Sequence, residues 1–117
     1  MKLEDIVQQI VIDPRKLVAY ALDLNSLKGS NKAKMFQQHL GFTPENYQLL
    51  LEQVQEKVMD GEAIPGDLDE YGQRYSVDLT ITGAEPGQQE IVRTGWIVEP
   101  DAEDIARLTT IFIRSRR

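Results

Sequence analysis

Cysteine is absent from the 117 residues. That excludes a disulfide framework, a thiol nucleophile and every thiolate metal site. Histidine occurs once, at His39, so there is no second imidazole for proton shuttling and no histidine-rich metal site. Long apolar runs are missing too. The run Ile10–Ile12 is stopped by Asp13-Pro14, far short of the ~20 residues that span a bilayer, and it lacks the longer core and cleavage site of a secretory signal. The expectation is a cytoplasmic protein with no membrane partner. No Walker loop, dinucleotide fingerprint or GxSxG elbow occurs, and Asp67-x-Asp69 lacks the remaining ligands of a calcium loop. Neither a metal site nor a cofactor is expected.

What is present suits one domain over residues 1–117, large enough to bury a core without staples. Thirteen basic and nineteen acidic residues give a net charge of −6. A uniformly basic nucleic-acid coat is thereby disfavoured, though a local basic patch is not. The basic residues are unevenly spread. All six Lys lie in the first sixty residues and six of the seven Arg after them. Lys28, Lys32 and Lys34 fall in an acid-free stretch between Asp23 and Glu45, and the chain ends Arg114-Ser115-Arg116-Arg117.

Hydrophobic periodicity changes near Gly61. Leu3, Ile6, Val7 and Ile10 form a helical stripe. Asp13-Pro14 starts a helix over 14–22, Ser30-Asn31 one that Gly41 ends, and Thr43-Pro44 a third carrying Tyr47, Leu50, Leu51, Val54 and Val58. Residues 62–71 read as loop around the turn signal Pro65-Gly66. Three alternating runs follow, 74–82, 89–98 and 106–113, joined by Glu85-Pro86-Gly87 and by the acidic turn 100–104. In the last run, Leu108, Thr110 and Phe112 are expected on one face, and Arg107, Thr109, Ile111 and Ile113 on the other. The fold class is α+β: a helical N-terminal half packed on one face of a C-terminal antiparallel β-meander.

Two groups of residues could carry chemistry. Arg93 and Arg107 lie in neighbouring strands, with Thr109 nearby. If they pair across the ladder or diagonally, both guanidiniums project from the same face and form a clamp for a phosphate, whose oxygens match the guanidinium fork. The plainer alternative is two solvated strand residues neutralised by Asp78 or the turn acids. Lys32 and Lys34, at the helix start Ser30-Asn31, could hold an anion at free backbone N–H groups; a capped helix with solvated lysines is the alternative. Trp96 and Tyr75 read as core, His39 as surface, and Tyr71 as an exposed loop residue that could stack or donate a proton.

Several ordered motifs carry a resemblance. They are Lys16-Leu17-x-x-Tyr20-x-Leu22, Gly29-Ser30-Asn31-Lys32-Ala33-Lys34-x-Phe36, Leu40-Gly41-Phe42, Tyr71-Gly72-x-x-Tyr75, Val92-Arg93-Thr94-Gly95-Trp96 and Ala106-Arg107-Leu108-Thr109-Thr110. Over residues 16–111 the chain resembles a family of small uncharacterised bacterial domains, frequent in cyanobacteria. That family's helical half reads KL…YLL…KA…F…LGF, and its strands read VRTVW and PRLVTAYP. This chain departs at Gly95, where an apolar residue is usual, at Ala106, where proline is usual, and at Ile111-Phe112. The resemblance implies a toxin-like role. Relatives are encoded beside a short β-rich partner protein or end large polymorphic toxins, and the layout is similar to ribonuclease toxins of the barnase, colicin and RelE type. Carried over by position, the polar residues are Lys16, Lys32, Arg93, Thr94, Arg107 and Thr109.

Two functions are thus expected. One is a metal-independent, ribonuclease-type component of a small two-gene system, with Arg93, Arg107 and Thr109 at the scissile phosphate and Lys16, Lys32, Lys34 and Thr94 binding RNA. The other is a non-catalytic module that binds a small partner protein through a sheet edge or the basic face. The oligomeric state is not legible.

Overall fold

A computed structural model describes residues 1–25 and 30–114. The expectations placed on Lys28, Gly29, Arg116 and Arg117 lie outside the described residues. The architecture is α+β, but among the described residues the sheet has five strands rather than three. They are β1 (Gln9–Val11), β2 (Ile64–Asp69), β3 (Gly72–Thr82), β4 (Gln89–Val98) and β5 (Ile105–Ile113), in the spatial order β1-β5-β4-β3-β2. β1 runs parallel to β5, and the other pairs are antiparallel. The full helices among the described residues are α1 (Ser30–Leu40) and α2 (Gln48–Lys57). The N-terminal half is therefore less helical than the spacing predicts, and both strands missed by the pattern are edge strands.

The first miss is at the N-terminus. The stripe Leu3-Ile6-Val7-Ile10 yields one short helical turn, Leu3–Asp5, closed by Asp5 Oδ2 accepting from Lys2 N at 3.1 Å. The chain then extends into β1. Ile10, Val11 and Ile12 are β-branched and favour extended backbone. The Asp104 carbonyl accepts from Gln8 N and Gln9 N at 2.8 and 3.2 Å, which ties this stretch to the start of β5. Backbone pairing with a waiting strand outweighs a short helical stripe that no strong cap supports.

The second miss is at residues 62–71. Pro65-Gly66 is a turn signal locally, yet the segment pairs with β3, and the register shifts between Pro65 and Leu68 to accommodate it. Proline is tolerated there because β2 is an edge strand.

The helices follow the sequence more closely. Ala33, Phe36 and Leu40 of α1 are buried. Gly41, at φ +68°, ends α1, with Gly41 N donating to Gln37 O and Phe42 N to Phe36 O. A turn over Pro44–Asn46 leads into α2, held by Asn46 Oδ1 accepting from Thr43 N at 2.7 Å. Leu50, Val54 and Val58 are buried. The expected 14–22 helix is one wide turn, Lys16–Ala21, in which Leu22 N reaches back five residues to Leu17 O. These elements pack on one face of the sheet against Val77, Leu79, Ile81, Val92, Trp96, Ala106, Leu108, Ile111 and Ile113.

The faces of β5 are the remaining correction. Trp96 pairs with Leu108 but Gly95 pairs with Thr110, so Thr109 is an extra residue in a β-bulge. Before the bulge Ala106 and Leu108 face the core; after it Ile111 and Ile113 do. Thr110 and Phe112 are thereby turned to the outer face with Arg107. Strict alternation places them with Leu108, because it has no means of anticipating one inserted residue, which exchanges the two faces of everything that follows.

Candidate functional site

The outer face of the sheet, opposite the helices' apolar side chains, brings most of the candidate residues together. The strand register sets three rows across β3, β4 and β5. The middle row is Ser76, Gly95 and Thr110. Two residues along on one side lie Asp78, Arg93 and Phe112, and on the other Arg74, Ile97 and Arg107. A row of small side chains flanked by larger ones makes a shallow trough across the strands. At about 3.4 Å per residue the flanking rows, four residues apart along β4, stand roughly 14 Å apart. Gly95 keeps the floor low and the bulge accessible: a Cβ there would stand 2.7 Å from Thr110 Cγ2 and 3.3 Å from Thr109 Oγ1.

The register puts Arg93 and Arg107 on one face, but it pairs them neither directly nor diagonally across the ladder. Arg93 is opposite Phe112 and Arg107 opposite Ile97. They cannot grip one phosphate together; they stand on opposite walls of the trough. Each is held by a carboxylate. Arg93 donates through Nε and its terminal nitrogen to both oxygens of Asp78, at 2.8 and 3.0 Å, and Arg114 donates to Asp78 Oδ2 at 2.9 Å. Arg107 Nε donates to Glu99 Oε1 at 2.8 Å.

Lys32 joins them from outside the sheet. β1 pairs with β5 only over Ile105–Arg107, and the start of α1 lies near the rest of β5. From there Lys32 Nζ donates to Thr110 Oγ1 at 3.2 Å and lies 5.1 Å from the centre of the Phe112 ring. Lys34 is exposed two residues further along α1. Two residues turn a helix by about 200°, so it points away from Lys32. Lys16 opens the wide turn that packs near β5 and is half-buried. Thr109, in the bulge, is half-buried beside Gly95.

Thr94 is corrected. It is fully buried on the core face, where its Oγ1 donates to Val77 O at 2.7 Å and accepts from Trp96 Nε1 at 2.7 Å. It secures the tryptophan and does not meet the outer face. Trp96 is core, as expected. His39 Nδ1 lies 3.8 Å from Glu90 Oε2, and Glu90, two residues from core-facing Val92 and opposite buried Ile81, is on the side away from the trough. Among the described residues no group of three or more His, Cys, Asp or Glu could hold a metal ion.

Sequence reasoning missed Thr110 and Ser76 as parts of the site and gave Arg114 no place in it. The available signal was Gly95 in mid-strand, a residue that marks a bulge or close approach.

The Arg93 hydrogen bond is the main cause holding the Asp78 carboxyl below its usual range, against an opposing effect of burial, and Asp78 in turn keeps Arg93 more firmly protonated. A depressed carboxyl pKa contributes stability above the unfolded value near 3.9, and loses it as pH falls through the folded value. Urea midpoints are therefore expected to drop on acidification below about pH 4, and to drop less in Asp78→Asn.

A family described as Domain of unknown function (DUF6883) matches residues 2–115. No curated protein matches. Among solved structures, a chain of a contact-dependent growth inhibition toxin–immunity protein complex from Klebsiella pneumoniae 342 is similar. Its TM-score is 0.67 at 17% identity, over 89% of this chain and 99% of that one. At that identity the likeness shows a shared fold. No described helix is long and apolar enough to cross a membrane.

Proposed function

We propose that this chain, which belongs to the DUF6883 family, is a toxin-type domain. It takes a strand of RNA along the outer-face trough and cleaves it, as one component of a small two-gene system. The observation that carries this reading is the placement of Arg93, Arg114 and Lys32 on one side of a small-residue floor and Arg74 and Arg107 on the other. A molecule with net charge −6 concentrates its sheet cations on the face opposite its core. Phosphates of a single strand lying across the floor meet cations on both walls, with the Thr109 and Thr110 hydroxyls between.

Attack of a 2′-hydroxyl on the neighbouring phosphorus, its proton passing to solvent water, expels the 5′-oxygen, which takes a proton from water, and leaves a 2′,3′-cyclic phosphate. Charge grows on the non-bridging oxygens during that step, and positioned cations stabilise it. The reading rests on phosphate binding and charge stabilisation; His39 is too far round the sheet to serve as the base. The test is incubation with total bacterial RNA, with and without chelator, beside an Arg93→Gln/Arg107→Gln variant checked for folding. Cleavage that survives chelator and drops roughly 100-fold in the variant is the expected result. No cleavage, or equal cleavage by both proteins, overturns the reading.

One observation favours a second reading, the partner-binding module. Every residue of β2 is exposed, including Ile64 and Leu68, and Tyr71 follows them. An edge strand with apolar side chains is a docking place for a strand of another protein. Without RNA cleavage, a small protein that binds the chain and loses that binding in Leu68→Lys would carry this reading instead.

A further inference from the structure

Asp78 has a place in the trough that the cleavage reading leaves unexplained. It sits in the wall row, directly across from Arg93 in the ladder. One oxygen takes Arg93 Nε at 2.8 Å. The other takes the Arg93 terminal nitrogen at 3.0 Å and Arg114 Nη1 at 2.9 Å. That is two parallel bonds from one guanidinium fork and a third from a second guanidinium, all to one anion. Arginine forks bind carboxylate and phosphate by the same geometry. The two arginines would repel each other without an anion between them. The site is also within reach of solvent: the Arg114 side chain is half exposed, and those of Arg93 and Asp78 are partly so.

We infer that Asp78 is a built-in occupant of a phosphate subsite: its carboxylate holds the Arg93 and Arg114 guanidiniums in the arrangement a phosphodiester of bound RNA takes, and binding requires that carboxylate to give way. This rests on the proposed RNA reading and assigns one wall of the trough to one phosphate. Asp78 is then a residue that limits affinity. It keeps two cations together and oriented in the empty protein, and the cost of displacing it selects ligands with enough additional phosphates to hold the Lys32 and Arg107 positions as well. A lone phosphate gains only the subsite and must still expel the carboxylate.

A structural ion pair and a phosphate placeholder predict opposite signs. If Asp78 only braces the strands, Asp78→Asn loosens the wall and weakens RNA binding. If it occupies the subsite, the asparagine keeps the shape, frees both guanidiniums and tightens binding. The experiment measures binding of a labelled single-stranded oligouridylate across a salt series, for the wild type, Asp78→Asn and Asp101→Asn. Asp101 is an exposed acid of the β4–β5 turn, so its variant carries the same charge change away from the wall. The expected result is binding about fivefold tighter in Asp78→Asn, with a salt slope steeper by about one, and no change of slope in Asp101→Asn. A slope no steeper than wild type in a variant whose thermal unfolding is still cooperative overturns the inference alone. So does an equal gain in both variants, which would make the effect one of overall charge. Absence of RNA binding by all three proteins overturns the RNA reading and this inference with it. Should Asp78→Asn unfold, Asp78→Ser is read by the same criteria.

Discussion

Trp96→Ala is expected to be the most destabilising single change in the sheet, costing about 3–5 kcal/mol as a large buried aromatic is emptied out. Trp96 is 1% exposed, and its indole N–H is satisfied internally by Thr94 Oγ1. The pair therefore fails in two distinguishable ways. Thr94→Val keeps the packing volume but leaves a buried indole N–H without its acceptor, at about 1–3 kcal/mol. Denaturant titration resolves the two, followed by tryptophan fluorescence in the valine variant and by circular dichroism in the alanine variant, which has no tryptophan left. The consequence for function is sharper than for stability. Thr94 lies beside Arg93 in sequence but on the opposite face, so on the proposed RNA reading folded Thr94→Val should match the wild type in RNA affinity. A loss of binding in that variant at full folding would mean that the core face takes part in the site.

The contrast between Arg93 and Thr94 shows what the sequence makes legible. Alternation in 89–98 is regular, so the assignment of Val92, Trp96 and Val98 inward and Arg93 outward follows from side-chain period alone. The helical anchors Phe36, Leu40, Leu50 and Val54 are equally plain, because their spacing repeats over several turns and has caps to start and stop it. Thr94 enters the expected site by resemblance to a motif, and a motif does not say which face a position occupies. β5 defeats alternation after Leu108 because a bulge is a property of two strands. Thr109 becomes the extra residue only by reference to Gly95 and Trp96 across the ladder. The edge strands β1 and β2 escape for a related reason: three residues, or a strand carrying proline and glycine, form only on a neighbour already in place. The local signals point elsewhere, and long-range backbone pairing outweighs them. The trough is thus a product of register, and no single segment announces it.

On the proposed RNA reading, removing the trough's cations together should have the largest effect on ligand binding. In Lys32→Gln/Arg93→Gln/Arg107→Gln, RNA affinity is expected to fall roughly 100-fold near physiological salt, and the slope of log affinity against log salt to fall by about two, at ~0.7 for each single-strand phosphate no longer neutralised. The three side chains come from α1, β4 and β5 and make separate contacts, with Thr110, Asp78 and Glu99 respectively. Their contributions should therefore add nearly independently. Glutamine retains most of each stem, and Arg114 remains on Asp78, so that carboxylate is not stripped of every partner. The informative comparison is with Lys34→Gln, which makes one of the same charge changes on the far side of α1. If the cations act through the trough, Lys34→Gln leaves the salt slope in place and each trough substitution lowers it. If the chain attracts RNA only through its general field, the lysine at 34 counts as much as the lysine at 32. That outcome would remove the trough as the site, because register and bulge matter only when the cations must meet phosphates at fixed positions.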